Sequence, residues 1–153
     1  MTATIPPYPK GRNLLEGKTV LVTAAAGTGI GFAAAKRAAE EGATVMISDI
    51  HERRLGDAAT ALAEIMGKRP PSRICNVTRE ADVQALIDAA VSEMGHIDVL
   101  INNAGLGGFA PLVDMTDDQW HAVLDVTLNG TLRMTRAALR HMLPKQSGNI
   151  VNM

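Results

Sequence analysis

The chain has 153 residues, 46% hydrophobic and 20% charged, and its 15 basic against 16 acidic residues leave a net charge of −1. That describes one globular domain long enough to bury a core, and it excludes a basic footprint for nucleic acid. No apolar run approaches the roughly 20 residues that span a bilayer, and no charged start with an apolar stretch marks a secretory signal, so the expectation is a cytoplasmic protein without membrane partners.

Residues 1–16 are proline-rich and polar and read as an extended arm outside the fold, leaving 17–153 as the domain. Thr19-Val20-Leu21-Val22-Thr23 is a β-rich run that ends at a glycine turn. The segment from Ile30 to Glu41 follows as a helix whose alanines let it lie close to a sheet, and Gly42 stops it. Thr44 to Ser48 is a second buried strand ending at Asp49. Leu55, Ala58, Ala59, Leu62, Ile65 and Met66 mark one helical face, and a third strand runs to Cys75. Cys75 is the only cysteine, and a buried reduced thiol accounts for it. Val83, Leu86, Ile87, Ala90, Val91 and Met94 predict an amphipathic helix, and Val99-Leu100-Ile101 a fourth strand.

Thr116 can cap a short helix through Leu124, with Asp117 and Asp118 in its first turn where the dipole favours them. A longer helix is expected to about Met142, with Leu124, Leu128, Leu132, Leu139 and Met142 on one side. Asn149 to Asn152 begins a fifth strand. Short strands alternating with longer helices predict an α/β fold. This is a doubly wound parallel sheet in the order 3-2-1-4-5, cut off after the fifth strand, with its switch point between the first and fourth strands.

Gly27, Gly29 and Gly31 stand between the first strand and the first helix. There the chain must turn tightly, let its backbone approach a phosphate, and bring helix against strand. The helix N-terminus, from Gly27-Thr28-Gly29-Ile30-Gly31, would hold a pyrophosphate through unpaired N–H groups and the dipole. Asp49, eighteen residues beyond Gly31, lies where an adenosine ribose belongs. Its carboxylate would accept from the ribose hydroxyls, and against a 2′-phosphate two unit charges 4 Å apart repel by about 4 kcal/mol at an effective dielectric near 20. NAD is therefore favoured over NADP. Arg53 and Arg54 are either exposed helix residues or a neutralising pair for a phosphate. Gly17-Lys18-Thr19 imitates a phosphate loop, but it precedes the first strand, and Lys18 merely starts that strand.

The fourth strand runs into Asn102-Asn103-Ala104-Gly105. Together with the glycine turn, Asp49, Cys75-Asn76-Val77-Thr78 and Gly148-Asn149-Ile150-Val151-Asn152, it makes the chain resemble the short-chain dehydrogenase/reductase family from Gly17 to Met153. The likeness is to the branch of 3-oxoacyl-thioester reductases and hydroxysteroid dehydrogenases. It implies that Asn76 and Val77 flank the adenine, and that Asn103, Ala104 and Gly105 line the nicotinamide-ribose side. The asparagine pair would also tie strands together.

Three departures stand out. Thr23-Ala24-Ala25-Ala26-Gly27-Thr28-Gly29-Ile30-Gly31 is one residue longer than the family turn, with Ala24 at its first glycine, so Gly27 is expected to take the tight turn. Asn76 stands where Asp is usual, and its amide oxygen could still accept from the adenine amine. Thr127 replaces the asparagine of a Val-Asn-Leu sequence whose main chain helps a proton relay, which leaves it a candidate for that role or for plain helix packing. Asn129 is about 200° round the helix from Thr127 and cannot substitute.

The resemblance implies an NAD-dependent oxidoreductase that interconverts a secondary alcohol and a ketone, with a 3-oxoacyl thioester first among substrates and a steroid-like alcohol second. A tyrosine, a lysine and a serine would move the proton. The only tyrosine, Tyr8, is in the arm, and His51, His96, His121 and His141 read as solvated. The expectation is thus a fragment of a roughly 250-residue enzyme. The alternatives are a non-catalytic dinucleotide-binding module or a structural half completed by another chain. Leu106-Gly107-Gly108-Phe109-Ala110 is either one wall of the substrate site or a plain turn. A homo-oligomer, dimer or tetramer, is expected through the long helix.

Overall fold

The computed structural model describes residues 6–107 and 110–153. Gly108 and Phe109, two of the five residues of the expected wall, lie outside the described residues.

Five parallel strands form one sheet in the order β3-β2-β1-β4-β5. They are β1 (Thr19–Val22), β2 (Thr44–Asp49), β3 (Ser72–Ile74), β4 (Val99–Asn102) and β5 (Asn149–Asn152). The connecting helices are α1 (Ile30–Glu40), α2 (Glu52–Met66), α3 (Glu80–Met94), α4 (Asp117–Leu124) and α5 (Gly130–Lys145). Consecutive side chains of a strand point to opposite faces, so the apolar run of β1 serves two cores. Val20 and Val22 share one core with Ala35 of α1 and Leu62 of α2, while Leu21 shares the other with Ile87 of α3 and Met134 of α5. Burial on both faces is why β1 and β2 show no polar alternation.

β1 and β4 are joined at their lower ends by Asp98. Its Oδ2 accepts from the Thr19 N–H at 2.9 Å and the Thr19 hydroxyl at 3.2 Å, and lies 2.9 Å from His96 Nε2. Burial pushes this carboxyl up, but the Thr19 N–H, His96, the Thr19 hydroxyl and Lys18 together outweigh it and hold it below the usual range. His96 and Lys18 thus have a partner that their sequence context did not show, with Lys18 Nζ 3.7 Å from Asp98.

Other boundaries differ from expectation for local reasons. From Tyr8 on, the arm lies against α1 instead of outside the fold: the Tyr8 hydroxyl donates to Glu40 at 2.8 Å, and Glu41 accepts from the N–H groups of Arg12 and Leu14. Cys75 lies just past β3, its N–H donating to the Asp49 carbonyl at 3.0 Å. α5 runs three residues beyond Met142 and takes Pro144 into its last turn, where the lost N–H frees only the exposed Arg140 carbonyl. Its buried face is Gly130, Met134, Ala137, Ala138 and Met142. Leu128 and Leu132 are exposed, so the leucine stripe does not form the core face. Small residues win that face because α5 lies close to β4 and α3.

Thr116 caps α4 as expected, and Gln119 completes a reciprocal capping box. Between α4 and α5 the backbone widens into a π-helical turn at Asp125–Asn129, a feature that no periodicity announced.

Candidate functional site

The first and fourth strands are neighbours although they connect to opposite sides of the sheet, so a crevice opens above their C-terminal ends. Thr23, the first residue past β1, holds this junction together. Its hydroxyl accepts from the N–H groups of Asn103 and Ala104, each at 3.0 Å, and its own N–H donates to the Ile101 carbonyl at 3.1 Å. The Asn103 amide donates to the carbonyls of Thr23 at 3.2 Å and Ala24 at 3.0 Å. Asn102 donates to Asn152 of β5 and Thr135 of α5. Both asparagines therefore tie elements together, as their family likeness implied.

The glycine turn departs from expectation at its start. Ala24 itself takes the left-handed conformation, with φ of 50°, and Gly27 takes a second positive φ of 89°. The longer loop thus has two left-handed residues, one of them paid for by an alanine at about 1–2 kcal/mol. Asn103 helps hold Ala24 there by binding its carbonyl.

Gly29 and Gly31 have different reasons for being glycine. A Cβ on Gly31 would lie 2.5 Å from the Ala24 carbonyl oxygen and 2.4 Å from the Asn103 amide nitrogen, so α1 can approach the strands only without one. A Cβ on Gly29 would meet no protein atom within 4 Å. The space above Gly29 is free for a ligand. Thr28, Gly29 and Ile30 are exposed, and no side chain caps the first turn of α1, whose N–H groups remain available to an anion.

Asp49 is nearly buried at the end of β2. One carboxylate oxygen accepts the Ala26 N–H at 3.1 Å and the other the His51 N–H at 3.0 Å. It therefore fastens the turn to β2, and each oxygen keeps a lone pair for a ribose hydroxyl. Asp49, Cys75, Asn76, Val77, Ala104, Gly105 and Val126 line one recess of ≈ 100 Å³. A second recess, of ≈ 280 Å³, lies between Gly27, Thr28 and α2, and Arg54 and Asp57 both line it. Of the two adjacent arginines, then, Arg54 is the one brought to the turn.

Asn76 differs from expectation. Its amide oxygen already accepts the Thr78 N–H at 3.0 Å and the Thr78 hydroxyl at 2.9 Å, so its NH₂ is the end left for a ligand. Cys75 lines the same recess, and burial, aided by Asp82, pushes its thiol up to about 12. Thr127 sits in the π turn, where its hydroxyl accepts the Leu106 N–H at 3.1 Å and its carbonyl accepts the Thr131 hydroxyl at 2.8 Å.

Sequence reasoning missed Thr23, Val126 and Cys75 as members of the site. Thr23 and Cys75 could have been found as the residues just past strands β1 and β3, the positions that face the crevice. A larger hollow of ≈ 330 Å³, lined by His96, Asp98, His141 and Lys145, lies at the opposite ends of the strands, away from the glycine turn. Among the described residues, no tyrosine, lysine or histidine lines either recess beside the turn.

A family model described as short chain dehydrogenase matches residues 18–153. The chain is 55% identical over 141 residues to a Mycobacterium tuberculosis (5R,7aS)-5-hydroxy-7a-methyl-1-oxo-2,3,5,6,7,7a-hexahydro-1H-indene-carboxyl-CoA reductase, covering 92% of this chain and 54% of that protein. It is 38% identical to a Thermotoga maritima 3-oxoacyl-[acyl-carrier-protein] reductase, covering 91% of this chain and 56% of that one. A solved short chain dehydrogenase from Mycobacterium smegmatis superposes with a TM-score of 0.91 at 52% identity, over 96% of this chain and 62% of its own. Two further solved neighbours are a xylitol dehydrogenase bound to NAD⁺ (TM-score 0.84, 37% identity, 90% of this chain and 52% of its own) and an actinorhodin polyketide ketoreductase with NADPH (0.82, 33%, 87% and 51%). The chain spans about half the length of the curated relatives it matches.

Proposed function

Because the chain belongs to the short chain dehydrogenase family, a family of oxidoreductases, we propose that it holds NAD(H), in preference to NADP(H), for an enzyme that interconverts a secondary alcohol and a ketone. The observation that carries this reading is the pairing of an open Gly29, with nothing where its Cβ would be, and a near-buried Asp49 fastened to the same turn. The residues present fit the cofactor: α1's first N–H groups for the pyrophosphate, Asp49 for the ribose, Asn76 and Val77 for the adenine, and Asn103 to Gly105 for the nicotinamide side. Bound there, the nicotinamide supplies or takes up a hydride.

The chain's own residues position and enclose. Thr23 and Asn103 set the mouth of the crevice, and Asp49 discriminates by charge. Arg54, on the α2 side of the second recess, is where a 2′-phosphate would find its counter-charge, and Asp57, one turn along the same helix and lining the same recess, weakens that attraction. Since neither recess holds a proton donor of the expected kind, we assign the proton to groups outside these 153 residues, in line with the doubled length of the relatives. A non-catalytic dinucleotide-binding module is the second reading, favoured by the same lack of a donor.

For the substrate, two of the relatives are named as reductases of a carboxyl-CoA and of a 3-oxoacyl-[acyl-carrier-protein], which supports a 3-oxoacyl-type thioester, with a steroid-like alcohol second. No helix of the described residues is long and apolar enough to cross a membrane, and we place the protein in the cytoplasm. The exposed Leu128, Leu132 and Leu143 support self-association through α5.

Fluorescence titration with NADH and NADPH tests the cofactor. Saturable binding with NADH the tighter is expected, and no saturation with either would end the proposal. Turnover of ketone thioesters by the full-length protein separates enzyme from module.

A further inference from the structure

The adenine corner and the π turn meet at one side chain. Val77 lines the first recess, and its other side abuts Gly130, the first residue of α5. A Cβ on Gly130 would lie 2.6 Å from Val77 Cγ2 and 3.1 Å from its Cβ. Gly130 has an ordinary helical backbone, so closeness to Val77 is what its missing side chain permits. One turn further along α5, Arg133 reaches the same junction. Its Nη1 donates to the Val77 carbonyl at 3.4 Å and to the Asp125 carbonyl at 3.3 Å, while Nη2 donates to Asp125 Oδ1 at 2.7 Å.

Asp125 opens the π turn. The next residue, Val126, lines the same recess as Val77, and Thr127 then takes the Leu106 N–H just past Gly105. A single guanidinium thus joins two segments that line the recess, at Val77 and at the residue before Val126. The Asp125 carboxyl is held below its ordinary range by Arg133 first and Asn129 second, so the pair is charged across the neutral range. Two of the three acceptors are main-chain carbonyls, which fix backbone position and not merely charge. A planar fork can serve three acceptors on two segments, whereas an ammonium cannot do so from the same place.

We propose that Arg133 is a positioning residue for the dinucleotide, clamping the adenine wall at Val77 to the π turn at Asp125 and so setting the width of the recess between them. The proposal rests on the cofactor reading above, and its test is built to fail separately.

In the full-length protein, Arg133→Met should weaken NADH about tenfold. The loss should appear already with 5′-AMP, because the adenine half contacts the wall that moves. Arg133→Lys should recover little of it. Gly130→Ala perturbs the junction from the other side, pressing Val77 into the recess without touching charge, and should weaken both ligands as well. Thermal midpoints separate positioning from folding, since a general structural role would lower the midpoint and leave the affinity of the folded fraction unchanged. If Arg133→Met does not fold, Arg133→Lys and Gly130→Ala decide. Unchanged affinity for NADH and 5′-AMP in the folded variants would overturn the proposal, while a wild-type protein that binds no dinucleotide would overturn the cofactor reading instead.

Discussion

Two glycines two residues apart should respond to substitution in different ways. Gly31 sits in the first turn of α1, where an added Cβ would lie 2.5 Å from a main-chain oxygen and 2.4 Å from the Asn103 amide, about 1 Å inside ordinary contact. The Ala24 carbonyl cannot yield, because its residue is already left-handed and bound by Asn103. Overpacking of this kind costs roughly 1–3 kcal/mol, partly offset by the ~1 kcal/mol by which alanine exceeds glycine in helix propensity. Because the clash is with a fixed main-chain oxygen, the overpacking cost falls in the upper part of that range, about 2–3 kcal/mol. The expected net loss for Gly31→Ala is therefore about 1–2 kcal/mol, a fall in melting temperature of roughly 2–8 °C for a chain of this size. Gly29 has no protein atom within 4 Å of its absent Cβ, and its φ of −83° suits any residue. Gly29→Val should therefore cost at most about 1 kcal/mol, through weaker capping, yet crowd the pyrophosphate and weaken NADH at least about a hundredfold. Calorimetry and fluorescence titration on both variants read stability and affinity separately. A Gly29→Val protein that binds NADH normally, or a Gly31→Ala protein as stable as wild type, would refute the division of labour.

Asp49→Ala should lower NADH affinity and raise the NADPH-to-NADH ratio, since it removes both the ribose acceptor and the charge facing a 2′-phosphate; an unchanged ratio in parallel titrations would sink the ribose assignment. Ala24→Gly relieves a left-handed alanine and should stabilise by about 0.5–1 kcal/mol after glycine's entropic cost, measured as a shift in urea midpoint with unchanged slope. Asp98→Ala leaves the buried Thr19 N–H without its acceptor and should cost about 2–3 kcal/mol. Because the Asp98 carboxyl lies below its unfolded value, the contribution of its charge is present above about pH 4 and is lost as pH falls further, so the stability gap between wild type and variant should narrow in acid. The Cys75 thiol, raised to about 12, stays neutral in the fold while an unfolded thiol ionises from about pH 8.5. Its contribution is complete below that value and fades as pH rises toward 12, and thiol-reagent labelling at pH 8 should be slow unless denaturant is added.

Much of this protein was legible in its residues because the relevant forces are local. Apolar runs of four or five residues, alternating with helical spacing, specify a parallel sheet covered on both faces, and Gly27, Gly29, Gly31 and Asp49 mark the C-terminal ends of β1 and β2 as the place proposed for the dinucleotide. The Thr116 cap needed only its own neighbours, and it formed as expected. Tertiary structure decided what depends on distance between segments far apart in the chain. Nothing near Arg133 says that its guanidinium meets Val77 and Asp125, and nothing near Lys18 or His96 points to Asp98. The arm's docking on Glu40 and Glu41, the outward turn of Leu128 and Leu132, and the π turn follow from how closely α1 and α5 approach the sheet. A helical period fixes which residues share a face, but close packing decides which face turns inward, and on α5 the small residues around Gly130 admitted the approach that the leucines would have blocked.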